Sequence, residues 1–120
     1  MKRRLRPRLG AFGSFGGRFV PELLTPALEE LETARRSIVP SAGFRRELDH
    51  EARAWVGRPT PLTRVPQFSE RAGLETVVKR EDLLHGGAHK ANNVLGQALL
   101  ARHMGKNRLI AETGAGQHGV

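Results

Sequence analysis

The stretch KREDLLHGGAHK at residues 79–90 ends in a lysine whose surroundings are typical of a ligand site. A strand signal precedes the lysine at 76–78, and the paired glycines within the stretch favour a turn. An apolar pattern at helical spacing follows from 94 to 104, and Gly105 ends it. α/β proteins commonly bind ligands where a strand, a glycine turn and a helix follow one another. We therefore predict that Lys90 lies in the first turn of a helix and is a covalent cofactor anchor.

Lysine chemistry explains why the context of this residue matters. An amine is nucleophilic only when it is unprotonated, and an ordinary lysine with a pKa near ~10.4 is almost entirely protonated at neutral pH. Burial favours the free amine, which can form a Schiff base with an aldehyde cofactor such as pyridoxal phosphate. Most lysines at helix starts are simply solvated. The assignment of Lys90 as an anchor therefore depends on the rest of the sequence.

A second stretch that could do chemistry follows the short apolar run at 109–111, which predicts a strand. Glu112 comes next, and the run TGAGQHG at 113–119 could direct several backbone N–H groups toward one anion. The run also matches the dinucleotide fingerprint G-x-G-x-x-G through Gly114, Gly116 and Gly119. A dinucleotide-binding oxidoreductase is therefore an alternative, and it would require an acidic residue about 20 positions further on.

Together these motifs resemble the β chain of tryptophan synthase, a fold-type-II pyridoxal-phosphate enzyme. The resemblance extends from Phe12 to Val120 and includes FGSFGGRFVPELLTPALEELE at 12–32, GRPTPL at 57–62, KREDLLHGGAHK at 79–90 and IAETGAGQHGV at 110–120. Threonine deaminases and cysteine synthases share the general layout. The sequences AHK at 88–90 and GAGQHG at 114–119 instead favour the main branch of tryptophan synthase, which pairs with an alpha chain.

The resemblance implies roles for individual residues. Lys90 would hold pyridoxal phosphate covalently and transfer the α proton of the substrate, and His89 would lie near the cofactor phosphate. Glu112 would be the catalytic carboxylate, which is needed because hydroxide leaves serine poorly without a positioned acid. Gln117 would lie near the phenolic oxygen of the cofactor. The loop that holds the substrate carboxylate would consist of Thr113, Gly114, Ala115, Gly116, Gln117 and His118.

The implied reaction replaces the hydroxyl group of L-serine with indole to form L-tryptophan, in an α2β2 complex with the alpha chain. Members of the family continue well beyond the residues matched here, and much of their cofactor site lies in that continuation. We therefore expect an N-terminal fragment that is inactive by itself. A non-catalytic remnant that only contacts the alpha chain is a further alternative, and an activity assay on the chain would separate the two.

Local patterns predict the elements that position these residues. A first helix should begin near Pro21 or Pro26 and end before Pro40, and a second should run to Gly57. A short helix is predicted over Phe68–Ala72. The fold class is α/β, the truncated N-terminal part of a fold-type-II enzyme, with helices and one strand–helix–strand unit. Residues 1–11 should form a flexible basic arm and residues 12–120 a partial domain.

Composition limits the remaining possibilities. The net charge is +8, but five of the 20 cations lie in the first eight residues without an acid, and the chain has only six aromatic side chains. A specific nucleic-acid surface is therefore not expected. The absence of cysteine and of a long apolar run predicts a cytoplasmic protein without membrane segments. His85 and His89 have the spacing of a helical metal site, but Gly86 and Gly87 lie between them and make a helix unlikely there, so no metal site is predicted.

Overall fold

The computed structural model describes residues 10–87 and 89–120. The predicted basic arm at 1–11 lies almost entirely outside the described residues, so its flexibility stays a prediction. Residues of the chain divide into two compact units, one ending at Ser41 and the other spanning Ala42–Val120. The second unit contains both stretches that the sequence marks for chemistry.

Helix α1, Thr25–Ile38, dominates the first unit. A proline in its first turn and a short 3-10 turn at Glu22–Leu24 precede the regular part of the helix. Proline suits this place because its ring presets the helical φ and its missing N–H would have no partner there. The first helix, predicted to begin near Pro21 or Pro26 and to end before Pro40, is confirmed, and it begins at Thr25.

The carboxylate of Glu32 ties the start of the described chain to α1. It accepts a hydrogen bond from the backbone N–H of Gly10 at 3.0 Å and forms ion pairs with Arg18 and Arg36. Partial burial opposes the charged form, but the Gly10 and Arg18 hydrogen bonds and the two positive charges together lower the pKa of Glu32 below its usual value. This arrangement fixes the loop before α1 without an apolar core.

In the second unit, helix α2 spans Ala42–Glu51 and continues as a π-helical turn, Ala52–Val56. Gly57 ends it with a φ of +87°, a left-handed conformation that favours glycine. The second helix, predicted to run to Gly57, is therefore confirmed.

A small sheet follows α2. Strand β1, Leu62–Arg64, pairs antiparallel with strand β2, Val77–Lys79, and helix α3, Pro66–Ala72, connects them. The predicted strand at 76–78 is confirmed with its bounds moved by one residue. The short helix predicted from Phe68 is also confirmed, and Val65 and Pro66 extend its start to an N-cap and first turn.

Helix α4, Lys90–His103, packs against α2. Phe44 and His103 make an edge-to-face ring contact with centroids 5.5 Å apart, and Glu47 of α2 bonds the His103 ring at 2.6 Å. The buried apolar residues of the described chain are Phe44, Val56, Leu84, Leu99 and Leu100. The core is therefore small and lies between these two helices and the segment before α4.

The predicted strand at 109–111 is wrong for this structure. These residues have no regular conformation, and Leu109 and Ile110 are 60% and 83% exposed. A strand requires a neighbour that bonds its N–H and C=O groups, and within residues 10–87 and 89–120 the only sheet is the β1–β2 pair. The strand–helix–strand unit expected around Lys90 is thus incomplete, although the described chain does mix helices with a sheet.

Candidate functional site

Lys90 is the first residue of α4 and is half-buried. The turn before it passes through Gly86 and Gly87, whose φ angles of +81° and +67° disfavour other residues. The His85 N–H donates to the Val56 carbonyl at 3.0 Å, which joins this turn to the end of the α2 segment. The prediction that Lys90 opens a helix after a glycine turn is confirmed.

Lys90 lines a cavity of about 250 Å³. The volume is near the lower end of the ~300–1,000 Å³ that is typical of small-molecule sites. Apolar side chains form most of the wall, and His85 and Gln117 are the polar residues beside Lys90. The apolar wall comes from Trp55, Val56, Ala91, Val94, Leu95, Ala98 and Val120. One amine in an apolar recess could receive the ring of a flat aromatic ligand.

Of the residues that the sequence marks as a site, Lys90 and Gln117 are brought together at this cavity. His89 and Glu112 are exposed and are not part of the cavity wall. Most of the glycine loop also lies outside the cavity wall, namely Thr113, Gly114, Ala115, Gly116 and His118. The catalytic role of Glu112 and the substrate-binding role of the loop therefore stay predictions.

The glycine loop forms a turn at its end. Gly116 has a φ of +93°, and its carbonyl accepts hydrogen bonds from the N–H groups of Gly119 and Val120 at 3.0 and 3.2 Å. A dinucleotide fingerprint must follow a strand and open a helix. In the described part of the chain the residues before the loop form no strand, so the fingerprint lacks the strand that it should follow.

A cluster of hydrogen-bond donors around the Glu81 carboxylate lies beside the start of α4. The sequence patterns did not predict it. Glu81 accepts hydrogen bonds from Arg58 Nη1 at 2.9 and 3.0 Å, from Thr60 Oγ1 at 2.8 Å and from Asn92 Nδ2 at 3.1 Å. The Thr60 bond lowers the pKa of Glu81 most, followed by the Asn92 bond and the charges of Arg58 and Lys79, against the opposing effect of partial burial. The sequence signal was indirect, since Glu81 and Arg58 lie in the KREDLL and GRPTPL motifs.

Two further features of the described residues concern metal binding and membrane crossing. Among the described residues, no group of three or more His, Cys, Asp and Glu side chains could hold a metal ion. None of the helices in the described part of the chain has the length and apolar character needed to cross a membrane.

Comparison with known proteins decides between the interpretations of the motifs. A protein of Halobacterium salinarum named tryptophan synthase beta chain is 56% identical over 113 residues, which cover 92% of this chain and 26% of the relative. A protein of Bacteroides fragilis with the same name is 52% identical over 120 residues, 100% of this chain and 31% of the relative. The chain matches an N-terminal portion of tryptophan synthase beta chains.

The resemblance to tryptophan synthase predicted from the motifs is thus confirmed. No family model matches the chain. The chain spans about a quarter to a third of the length of these relatives, at 26% and 31%.

Proposed function

We propose that the chain forms part of a tryptophan synthase beta chain that makes L-tryptophan from L-serine and indole with pyridoxal phosphate. The observation that supports this most directly is the position of Lys90, half-buried at a helix start and lining an apolar cavity. The identity of 52–56% to proteins named tryptophan synthase beta chain supports the proposed reaction class. The partner we propose is the alpha chain of the same enzyme, in an α2β2 complex.

The residues present suit the ring and aldehyde end of the cofactor. The cavity offers apolar walls for a pyridine ring, the Lys90 amine for the aldehyde, and Gln117 for a polar ring substituent. For the phosphate, the described residues offer His89 and the free N–H groups at the start of α4. When bound, pyridoxal phosphate supplies an electron sink that stabilises negative charge at the substrate α carbon.

Each proposed site residue has a distinct task. Lys90 anchors the cofactor and then accepts and returns the α proton of serine. Glu112 donates a proton to the departing serine hydroxyl, which requires the exposed segment around it to move toward the cavity. The N–H groups of residues 113–118 hold the substrate carboxylate. A non-catalytic chain that only contacts the alpha chain is the alternative.

The test uses a chimera in which residues 1–120 replace the matching N-terminal portion of the Bacteroides fragilis protein. The chimera should retain the visible absorption of bound cofactor through dialysis and form tryptophan from serine and indole. Lys90→Ala should remove both properties. Lys106→Ala, which changes a lysine just beyond the opposite end of α4, should leave both intact.

Borohydride trapping followed by peptide mapping provides a second measurement. The chain has four lysines, Lys2, Lys79, Lys90 and Lys106, so the cofactor-labelled peptide identifies the anchor directly. Label on any lysine of the chimera other than Lys90, or visible absorption that persists in Lys90→Ala, would overturn the assignment. A chimera that binds cofactor at Lys90 but forms no tryptophan would favour the non-catalytic alternative.

A further inference from the structure

The Glu81 carboxylate connects three separate segments of the second unit. Its Oε1 accepts hydrogen bonds from Arg58 and Thr60 of the turn before β1, at 2.9 and 2.8 Å. Its Oε2 accepts one from the Asn92 side chain, at 3.1 Å. The Lys79 ammonium donates to the Thr60 carbonyl and adds positive charge nearby. Thr60 is only 4% exposed, so this cluster is anchored in the interior of the unit.

The start of α4 depends on this cluster because it has no side-chain cap of its own. His89 is the N-cap residue and makes no capping hydrogen bond through its side chain. Ordinarily a Ser, Thr, Asp or Asn at that position would satisfy a free N–H of the first turn and fix where the helix begins. Here Asn92, in the first turn, instead donates a side-chain hydrogen bond to Glu81. The first turn of α4 is therefore held from outside the helix.

We propose that Glu81 is a positioning residue for Lys90, holding the first turn of α4 so that the Lys90 amine faces the cavity at the angle that cofactor attachment requires. The inference rests on the proposed function of Lys90. Asn92 is two residues beyond Lys90 in the same turn, so a shift of one moves the other. Glu81 does not line the cavity, and its effect is exerted through Asn92.

Helix geometry sets the size of the effect. The end of a lysine side chain lies several ångströms beyond the helix radius of about 2.3 Å, so a rotation of the first turn by about 10° moves the amine by on the order of 1 Å. Reacting groups must be held within roughly 0.5 Å and 10–20° of the productive geometry. A misplacement of about 1 Å can slow a reaction by up to about 10²-fold. The loss of one positioning bond should therefore slow attachment at Lys90 by about tenfold.

The experiment measures how fast the cofactor-free chimera takes up added pyridoxal phosphate. In this step the Lys90 amine condenses with the aldehyde, a C=N bond forms and water is released, and the visible absorption reports the rate. Asn92→Ala removes the donor and should slow uptake by about tenfold. Asn92→Asp also places a second negative charge against Glu81 and should slow uptake at least as much. Asp82→Asn changes the neighbouring carboxylate, which pairs with Arg80 instead, and should leave the rate unchanged.

A rescue variant separates positioning from a general loss of structure. Combining Glu81→Gln with Asn92→Asp restores an amide–carboxylate hydrogen bond with the roles exchanged, and should return the rate to within about threefold of the starting chimera. Melting of each variant by circular dichroism shows which ones keep the fold, and the comparison uses Asn92→Ala if Asn92→Asp unfolds.

Two results would overturn the inference alone. One is uptake by the folded Asn92 variants at the rate of the starting chimera. The other is a double variant no faster than Asn92→Asp. A starting chimera that attaches no cofactor at Lys90 would overturn the proposed function and, with it, this inference.

Discussion

Residues 109–111 offer the clearest test of the structure, because the sequence pattern predicts a strand there and the structure instead leaves these residues exposed. The sequence predicts that Ile110 lies in a strand, whereas in the structure it lies outside any regular element and is 83% exposed. Leu99 of α4 is the matched comparison because it is 5% exposed in the core. Changing either residue to alanine removes the same number of carbon atoms, so any difference in effect reports the surroundings.

The expected magnitudes follow from burial. Transfer of the Leu99 carbons from core to water costs roughly 2.5 kcal/mol, and the cavity that remains brings Leu99→Ala into the range of about 2–5 kcal/mol. Ile110 already lies mostly in water, so Ile110→Ala should lower the free energy of unfolding by less than about 0.5 kcal/mol. The free energy of unfolding of a small domain can be as low as about 5 kcal/mol. Leu99→Ala should therefore remove a large part of it.

Urea unfolding of the 120-residue polypeptide, followed by far-UV circular dichroism, measures both effects. With a slope of about 1 kcal/mol per molar urea for a small protein, Leu99→Ala should lower the midpoint by about 2 M or more, or abolish the transition. Ile110→Ala should move the midpoint by less than about 0.5 M. A loss for Ile110→Ala equal to that for Leu99→Ala would show that 109–111 is packed as a strand and refute the reasoning from exposure.

Three further outcomes are expected. In the chimera, Glu112→Gln should keep the cofactor absorption but slow tryptophan formation by about 10²-fold or more, because the titrating proton is lost. Steady-state turnover near that of the starting chimera would show that Glu112 has no catalytic role. The hydrogen bond from Thr60 lowers the pKa of Glu81, so the stabilisation that Glu81 provides should be complete above its unfolded-state pKa of about 4.5 and be lost as the pH falls through the folded-state value; acid unfolding should be less steep in Glu81→Gln than in the unchanged polypeptide. The 120-residue polypeptide should not retain pyridoxal phosphate through dialysis, since a phosphate needs several converging donors; a yellow polypeptide with one equivalent of cofactor would contradict this.

The helices were predictable because their signals are local. Gly57 and Gly73 adopt φ angles of +87° and +68° at the ends of two helices, and a proline occupies the first turn of α1 and of α3. Such signals depend on the backbone preferences of one residue and its immediate neighbours. The position of Lys90 at the start of α4 was predictable for the same reason.

Strands depend on partners, and this explains the one wrong element. The valines of β2 and the apolar run at 109–111 give similar local signals. β2 forms because β1 supplies the bonding partner in the register Thr63 to Val78. Residues 109–111 have no such partner in the part of the chain that the structure describes. A sequence pattern therefore identifies a candidate strand but does not identify the neighbouring strand with which it would pair.

The hydrogen bonds to Glu81 are a part of the site that local sequence patterns could not predict. The partners of Glu81 lie 23, 21 and 11 residues away, at Arg58, Thr60 and Asn92. A glutamate among charged residues normally predicts a solvated surface, and only the fold brings these donors to one carboxylate. The GRPTPL and KREDLL motifs are joined by the Glu81 side chain, by the bond from Lys79 to the Thr60 carbonyl and by the β1–β2 pairing. Glu81 also joins them to the turn that begins with Lys90. A substitution in the first motif should therefore alter the site at Lys90, although GRPTPL itself contributes no residue to the cavity wall.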